Sequence, residues 1–239
     1  MNFIIIGLIL GCLIFVHELG HFLAARWTGI PVARFSVGFG KAIWKTRLGE
    51  TEFRLAMLPI GGYVLPKLNN GQLHPQAPVW RRMVFTIGGP LANVLICIPL
   101  FALLNLLSGE SGFFALLISP WLQTFSTMMG MFQMLPTLFS NPESLTSVIG
   151  IFTEGSQALS GGWNAFLSIS IILSINFAVL NLLPVPPLDG GKLLLYALEP
   201  LHPVMTRLSL PLHLAGWIAI LGLMIYAVML DIHRYFGGS

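Results

Sequence analysis

Charge is scarce in this sequence. Asp, Glu, Lys and Arg make up only 9% of the 239 residues, whereas about 25% is usual in a soluble domain. Hydrophobic residues make up 55%, and the mean hydropathy is +0.82. This composition excludes an ordinary soluble domain and indicates a membrane protein. The length suits about four spanning helices of ~20 residues and no large additional soluble domain.

Cysteine is almost absent as well. Cys12 and Cys97 both lie in apolar segments, where a thiol behaves as a small hydrophobic group. Two such residues exclude a disulfide framework and give no support for a redox function. The net charge of +3 comes without a basic stripe that would follow a phosphate backbone, so we expect no nucleic-acid partner.

The few basic residues are unevenly distributed. Nine of the twelve Lys and Arg residues lie at positions 26–82, between the first two apolar segments, and residues 108–162 contain none. The positive-inside rule makes the first of these regions cytoplasmic and the second external. The pattern therefore predicts an even number of crossings, with both termini outside.

The apolar segments predict four core helices, at about 2–26, 84–107, 163–183 and 211–230. The first lacks the basic n-region of a cleaved signal peptide, so we expect it to be retained. Residues 113–139 are apolar but interrupted by prolines and polar side chains, which favours an outer-surface or re-entrant helix. We expect one membrane-embedded domain, residues 1–239.

The region between the first two helices has a different pattern. Glycines punctuate short runs at about 35–64, which is typical of strands. A hairpin would pair Lys41–Thr46 with Thr51–Met57, and the apolar continuation to Val64 is too short to span. The predicted fold class is an all-α polytopic membrane protein with a small membrane-associated β-hairpin region. Residues 67–79 are expected to form a polar cytoplasmic loop.

Three ionisable residues, His17, Glu18 and His21, lie inside the first apolar segment, where such groups are costly. Residues i and i+4 share a helix face, so both imidazoles can face one metal ion with Glu18 beside it. This is the His-Glu-x-x-His pattern of zinc hydrolases. The alternative is a pair of buried histidines bonded across helices, but a glutamate between them makes that alternative costly.

A zinc ion with a reactive water needs three protein ligands. Asp189, which follows the third apolar segment, is the candidate for the third. Its alternative role is to cap the helix that follows.

The sequence resembles the site-2 protease family of intramembrane zinc metalloproteases, especially the bacterial branch that cleaves membrane-anchored anti-sigma factors. The resemblance is carried, in the expected order, by His17-Glu18-Leu19-Gly20-His21, Arg34-Phe35-Ser36-Val37-Gly38-Phe39-Gly40, Pro59-Ile60-Gly61-Gly62-Tyr63-Val64, Gly88-Gly89-Pro90-Leu91-Ala92-Asn93 and Asn181-x-x-Pro184-x-x-x-x-Asp189-Gly190. The sequence departs from well-studied members in one respect: no PDZ-like segment separates the second and third core helices.

The resemblance implies one zinc ion, with His17, His21 and Asp189 as ligands and Glu18 as the catalytic residue. It also implies that Gly61 and Gly62 belong to a membrane-entering hairpin whose edge binds an unwound substrate. A simple loop turn is the alternative for these glycines.

Three further residues are candidates for substrate contact. The resemblance implies that Asn181 and Pro184 lie beside the substrate, and we add Asn93. For the two asparagines, hydrogen bonding between helices is an equally open alternative.

The expected function is intramembrane endoproteolysis. The substrate would be a transmembrane segment of a single-pass protein or a signal peptide, cut for regulated intramembrane proteolysis or for clearance of signal-peptide remnants. The expected location is the lipid bilayer of a bacterial plasma membrane, with the active site towards the cytoplasm. A metal-ion transporter and a catalytically inactive relative that binds membrane segments are the alternatives.

Overall fold

The computed structural model describes residues 2–69, 72–73, 77–140, 148–201 and 204–236. In chain order the elements in these ranges are α1 (Asn2–Thr28), β1 (Val32–Leu48), β2 (Thr51–Pro66), β3 (Leu68–Asn69), β4 (Gln72–Leu73), α2 (Val79–Leu107), α3 (Ser119–Ser140), α4 (Val148–Ala158), α5 (Gly162–Asn181), α6 (Asp189–Leu198) and α7 (Val204–Phe236). A π-helical turn at Phe114–Ile118 precedes α3.

Four helices among the described residues are long and apolar enough to cross a membrane: α1, α2, α5 and the Leu208–His233 part of α7. This confirms the predicted fold class, with its expectation of about four membrane helices. Helix α2 begins at Val79 rather than at residue 84. The difference arises because its first turn carries Arg81 and Arg82, and charged residues end a hydropathy run without ending a helix.

Helices α1 and α2 approach each other through small residues. A Cβ atom added at Gly20 would overlap the Gly88 carbonyl and would lie 2.6 Å from the Ala92 Cβ. Without a hydrophobic driving force in lipid, such close backbone approach is a main source of helix association. The contact sets α2 against the face of α1 that carries His17 and His21.

Helix α5 packs on the other side of α2. Cys97 of α2 forms a buried cluster with Ile171, Ile175 and Val179 of α5. The Ser174 hydroxyl on α5 donates a 2.8 Å hydrogen bond to a backbone carbonyl of α2. Cys97 and Cys12 are both free thiols, as expected from the sequence.

Helix α3 lies along α2 and α5. Its Met128, Met131 and Phe132 pack on the Cys97 cluster, and the amides of Gln123 and Asn105 exchange hydrogen bonds of 3.1 and 3.2 Å. Helix α4, which was not predicted, contacts the apolar α1 cluster through its own apolar residues.

The sheet is wider than the predicted hairpin. The second part of β1, Ala42–Leu48, pairs with Thr51–Ala56 as a hairpin, which agrees with the predicted pairing. The first part, Arg34–Val37, pairs with Glu52–Leu55 on one side and with Gly62–Leu65 on the other. These longer-range pairings carry no local sequence signal. The predicted loop 67–79 contains the short pair β3 and β4, and residues 70–71 and 74–76 lie outside the described ranges.

Candidate metal centre

The two histidines of α1 face the same point, as their spacing predicts. The Nε2 atoms of His17 and His21 lie 3.2 Å apart, and both side chains are buried. One helical turn separates the residues, so both rings lie on one face of α1, edge to face with an interplanar angle of 85°.

Asp189 reaches this point from the first turn of α6. Its Oδ2 atom lies 3.2 Å from His17 Nε2 and 3.1 Å from His21 Nε2. The two glycines that follow allow α6 to sit tightly on the preceding loop. A Cβ atom at Gly190 would overlap the carbonyls of residues 182 and 183, and one at Gly191 would overlap the backbone of residues 185 and 186.

The three atoms suit one metal ion. Ligands bound at 2.0–2.1 Å to a tetrahedral zinc ion are about 3.3 Å apart, close to the 3.1–3.2 Å separations seen here. His21 Nδ1 lies 2.8 Å from the Phe85 carbonyl, which can only accept, so Nδ1 carries the proton. A neutral His21 then presents its Nε2 lone pair to the Asp189 oxygen, and a proton or a cation must lie between them.

Asp189 has the charge state that metal ligation requires. Burial acts to raise the pKa of this carboxyl, but the adjacent His17 and His21 rings and the charge of Lys192 hold it well below its ordinary value. The Lys192 ammonium lies 3.0 Å from Oδ1 and leaves Oδ2 for the imidazoles. The carboxyl is therefore ionised at neutral pH.

Helix α2 leaves the space beside the rings open. A Cβ atom at Gly89 would lie 2.7 Å from His17 Nε2 and closer still to His21 Nε2. Any residue other than glycine would fill the volume that a metal ion needs. The donor set, its spacing and this cradle together fit a zinc ion.

Glu18 lies next to the metal-binding group and against the sheet. It is 9% exposed, and its carboxylate accepts a hydrogen bond from the Val64 backbone. A Cβ atom at Gly62 would lie 2.6 Å from Glu18 Cγ. Strand β2 therefore passes directly over the glutamate.

Comparison with known proteins identifies the family. The model of peptidase family M50 matches residues 5–227, which is most of the chain. The chain belongs to this family, the site-2 protease family. Membership confirms the predicted family, the metallopeptidase class and zinc as the metal to consider.

Individual M50 relatives align over different extents. A zinc metalloprotease, so named, of Treponema pallidum is 38% identical over 135 residues, 49% of this chain and 30% of the relative. The regulator of sigma-E protease RseP of Salmonella typhimurium is 46% identical over 101 residues, 37% of this chain and 22% of the relative. The chain thus aligns with less than a third of either protein.

One M50 relative aligns end to end. The zinc metalloprotease, so named, of Fusobacterium nucleatum is 24% identical over 344 aligned positions that cover 99% of this chain and all of the relative. Because this chain has 239 residues, that relative contains internal sequence with no counterpart here. This agrees with the departure noted in the sequence.

The structure brings the predicted M50 site residues to different distances from the metal group. His17, His21 and Asp189 converge, with Glu18 and Gly62 adjacent. Gly61 packs against the Phe39 ring. Asn181 ends α5 and donates to its own helix at the Phe177 carbonyl, and the exposed Pro184 follows in the loop to α6. Asn93 is fully buried against His17.

Sequence reasoning missed four neighbours of the M50 metal group. These are Phe85, Gly89, Phe177 and Lys192. Lys192 had a usable signal, because it stands three residues after Asp189 at the start of a helix. The other three lie on α2 and α5, and only helix packing relates them to His17 and His21.

Proposed function

We propose that this protein is a zinc-dependent endopeptidase that cleaves peptide bonds within transmembrane segments of membrane-anchored substrates. Regulated intramembrane proteolysis and clearance of signal-peptide remnants both fit this activity. The observation that carries the proposal is the buried convergence of His17, His21 and Asp189 beside Glu18, in a chain with four membrane-spanning candidates.

These four residues have different roles in the proposed reaction. His17, His21 and Asp189 would hold the metal, which would polarise the scissile carbonyl and lower the pKa of a water molecule so that hydroxide is available at neutral pH. Glu18 accepts a proton from that water and returns it to the leaving amine. The Val64 hydrogen bond holds the Glu18 carboxylate towards the sheet.

Substrate binding is proposed along β2. The Gly62–Leu65 segment pairs with β1 on one side only among the described residues. An unwound substrate can add as a strand on the other side, which passes Glu18. Unwinding is needed because a transmembrane helix already uses its backbone carbonyls internally. Asn181 and Pro184, at the end of α5, would contact the same segment.

An apolar cavity lies against another part of the sheet, at residues 35–37 and 53–55. It has a volume of ≈930 Å³ and lies between α1, α4, α5 and the first two strands, and Phe177 lines it. The Phe177 ring also packs edge-on against His17, with ring centroids 5.3 Å apart. We assign the cavity to apolar side chains of the substrate, since its wall leads to the metal group.

The sidedness follows from the charges. The basic residues between α1 and α2 favour the cytoplasm, which puts both termini outside and the active site towards the cytoplasmic side of a bacterial plasma membrane. Bilayer lipid would surround the exposed apolar faces of the four spans.

Reconstituted cleavage tests the proposal. Purified protein in liposomes is mixed with a tagged single-pass substrate, and wild type, Glu18→Gln and chelator-treated samples are compared. We expect Glu18→Gln to lower the cleavage rate about 10²- to 10⁴-fold, the contribution of a general base, while zinc content stays equal to wild type.

Three results would count against the proposal. Full cleavage by Glu18→Gln would show that Glu18 is not the general base. Zinc flux into the liposomes without cleavage of any substrate would favour a transporter, and binding of the substrate without either would favour an inactive relative.

A further inference from the structure

Asn93 occupies an unusual place on α2. Its side chain has no exposed surface, and its Nδ2 atom lies 3.4 Å from His17 Nδ1. Its Oδ1 atom is buried without a hydrogen-bond partner among the described residues. A buried acceptor left unpaired costs about 1–3 kcal/mol, so this side chain requires an explanation.

The two orientations of the Asn93 amide have opposite consequences for His17. If Nδ2 donates to Nδ1, the proton of a neutral His17 lies on Nε2, the atom that faces His21 and Asp189. That tautomer cannot bind a metal through Nε2. If the amide is turned by 180°, Oδ1 accepts the Nδ1 proton and Nε2 keeps a free lone pair. Amide oxygen and nitrogen have nearly the same shape, so both orientations fit the same space.

His21 already shows the second arrangement. Its Nδ1 atom lies 2.8 Å from the Phe85 carbonyl, an acceptor. Histidines that bind metals ordinarily donate their other ring N–H in this way, and the acceptor fixes the tautomer and the ring orientation. Among the described residues, His17 Nδ1 has no matching acceptor unless Asn93 provides it.

We propose that Asn93 is a positioning residue that accepts the Nδ1 proton of His17 through Oδ1 and so keeps Nε2 available to the metal. This inference rests on the proposed function, because it assumes that His17 is a ligand. It also differs from the substrate contact expected from the sequence, since a side chain with no exposed surface offers none to a substrate.

Zinc affinity distinguishes an Asn93 that accepts a proton from His17 through Oδ1 from one that donates through Nδ2. Asn93→Asp keeps an acceptor and loses the donor, whereas Asn93→Leu has similar size and neither. Affinity is measured by competition with a chromophoric chelator on purified protein in detergent. We expect Asn93→Leu to bind zinc 10- to 100-fold more weakly, the usual cost of losing such a partner, and Asn93→Asp to bind within about threefold of wild type. Equal losses in both variants would overturn the proposal, because they would identify Nδ2 as the required group.

Two controls accompany these variants. Asn105→Leu removes another buried asparagine of α2, whose amide bonds Ala115 and Gln123 instead, and it should leave zinc affinity unchanged. His17→Ala should abolish tight binding. If His17→Ala binds zinc like wild type, the metal site itself is wrong. If it loses zinc and Asn93→Leu does not, the inference about Asn93 alone is wrong.

A measurement on the unaltered metal-free protein does not depend on whether the Asn93 variants fold. ¹⁵N spectra of histidine-labelled protein, with His17 assigned by its loss in His17→Ala, report which ring nitrogen carries the proton. A proton on Nδ1, with or without a second proton on Nε2, supports the proposal, and a proton on Nε2 alone overturns it.

Discussion

At the scale of single residues, the metal group depends on its ligands and also on a glycine whose missing side chain leaves space beside them. Gly89 is the clearest case, because a single methyl group there would occupy the space facing both imidazoles. Glycine in the interior of a helix costs about 1 kcal/mol relative to alanine. We infer that position 89 is a glycine because the space beside the two imidazole rings must stay open.

The first prediction concerns this glycine. Gly89→Ala should lower zinc affinity by at least about 100-fold, more than the loss of an outer partner, because its Cβ atom would collide with the ligand nitrogens. The measurement is chelator competition on monodisperse protein. Gly222→Ala, on α7 with nothing within 4 Å of the new Cβ, is the matched control. Tight zinc binding by Gly89→Ala would show that the metal lies elsewhere.

At the scale of elements, the position of α6 decides where Asp189 points. Beyond its two glycines, α6 is anchored near its far end by Glu199, which forms two contacts of 2.8 and 2.9 Å with the Arg82 guanidinium of α2. The same guanidinium lies 4.7 Å from the centroid of the Tyr196 ring. Bidentate pairs of this kind have a fixed geometry. The Arg82–Glu199 pair therefore fixes the far end of α6 against α2.

The second prediction is a coupling energy between these helices. A double-mutant cycle of Arg82→Met and Glu199→Gln should give about 1 kcal/mol or more, because both side chains are mostly covered and the pair is bidentate. The readout is reversible unfolding in mixed detergent. The exposed pair Lys67–Glu50 is the control and should show little or no coupling. Equal coupling in the two cycles would contradict the anchoring role.

The third prediction concerns the crossing of α1 and α2. Gly20→Val forces extra volume against the Gly88 carbonyl and should destabilise the protein by about 1–3 kcal/mol, the usual cost of overpacking. It should also weaken zinc binding, since Gly89 moves with Gly88. Gly7→Val on the same helix meets only the edge of Phe152 at 3.8 Å and should change the midpoint of thermal unfolding less. Unfolding curves of the two variants that superimpose would refute this account of the crossing.

At the scale of the whole molecule, the sheet and the α2–α3 connection lie at opposite ends of α2. The sheet precedes α2 in the chain, and the connection follows it. Lys45 in the hairpin and Glu110 after α2 are both exposed. The proposed topology puts them on opposite sides of the membrane.

The fourth prediction tests that topology. In a variant with Cys12 and Cys97 replaced by alanine, Glu110→Cys should react with a membrane-impermeant maleimide in intact cells, because it faces outside. Lys45→Cys should react only after the membrane is opened. Labelling in the reverse order would invert the proposed sidedness without affecting the metal site.

The sequence by itself determined what depends on local spacing. Four apolar runs have the length of a bilayer, and the His17–His21 interval equals one helical turn, so the number of spans and the pairing of the two imidazoles follow from the rise and period of a helix. The hairpin at residues 42–56 was also readable, since Gly49 provides its turn. Helix α4 was missed because it is short and carries glycine and polar residues, whereas a helix after Asp189 was anticipated as the segment that this residue could cap.

Only the tertiary structure decided which distant residues meet. Asp189 joins the imidazoles because α5 packs on α2 and the Gly190–Gly191 pair lets α6 fold back on the loop. Asn93 and Gly89 reach His17 because Gly20 and Gly88 let two backbones touch. No local sequence pattern predicts these contacts. The period of a helix shows which residues share a face, but the packing of the helices determines which element that face contacts.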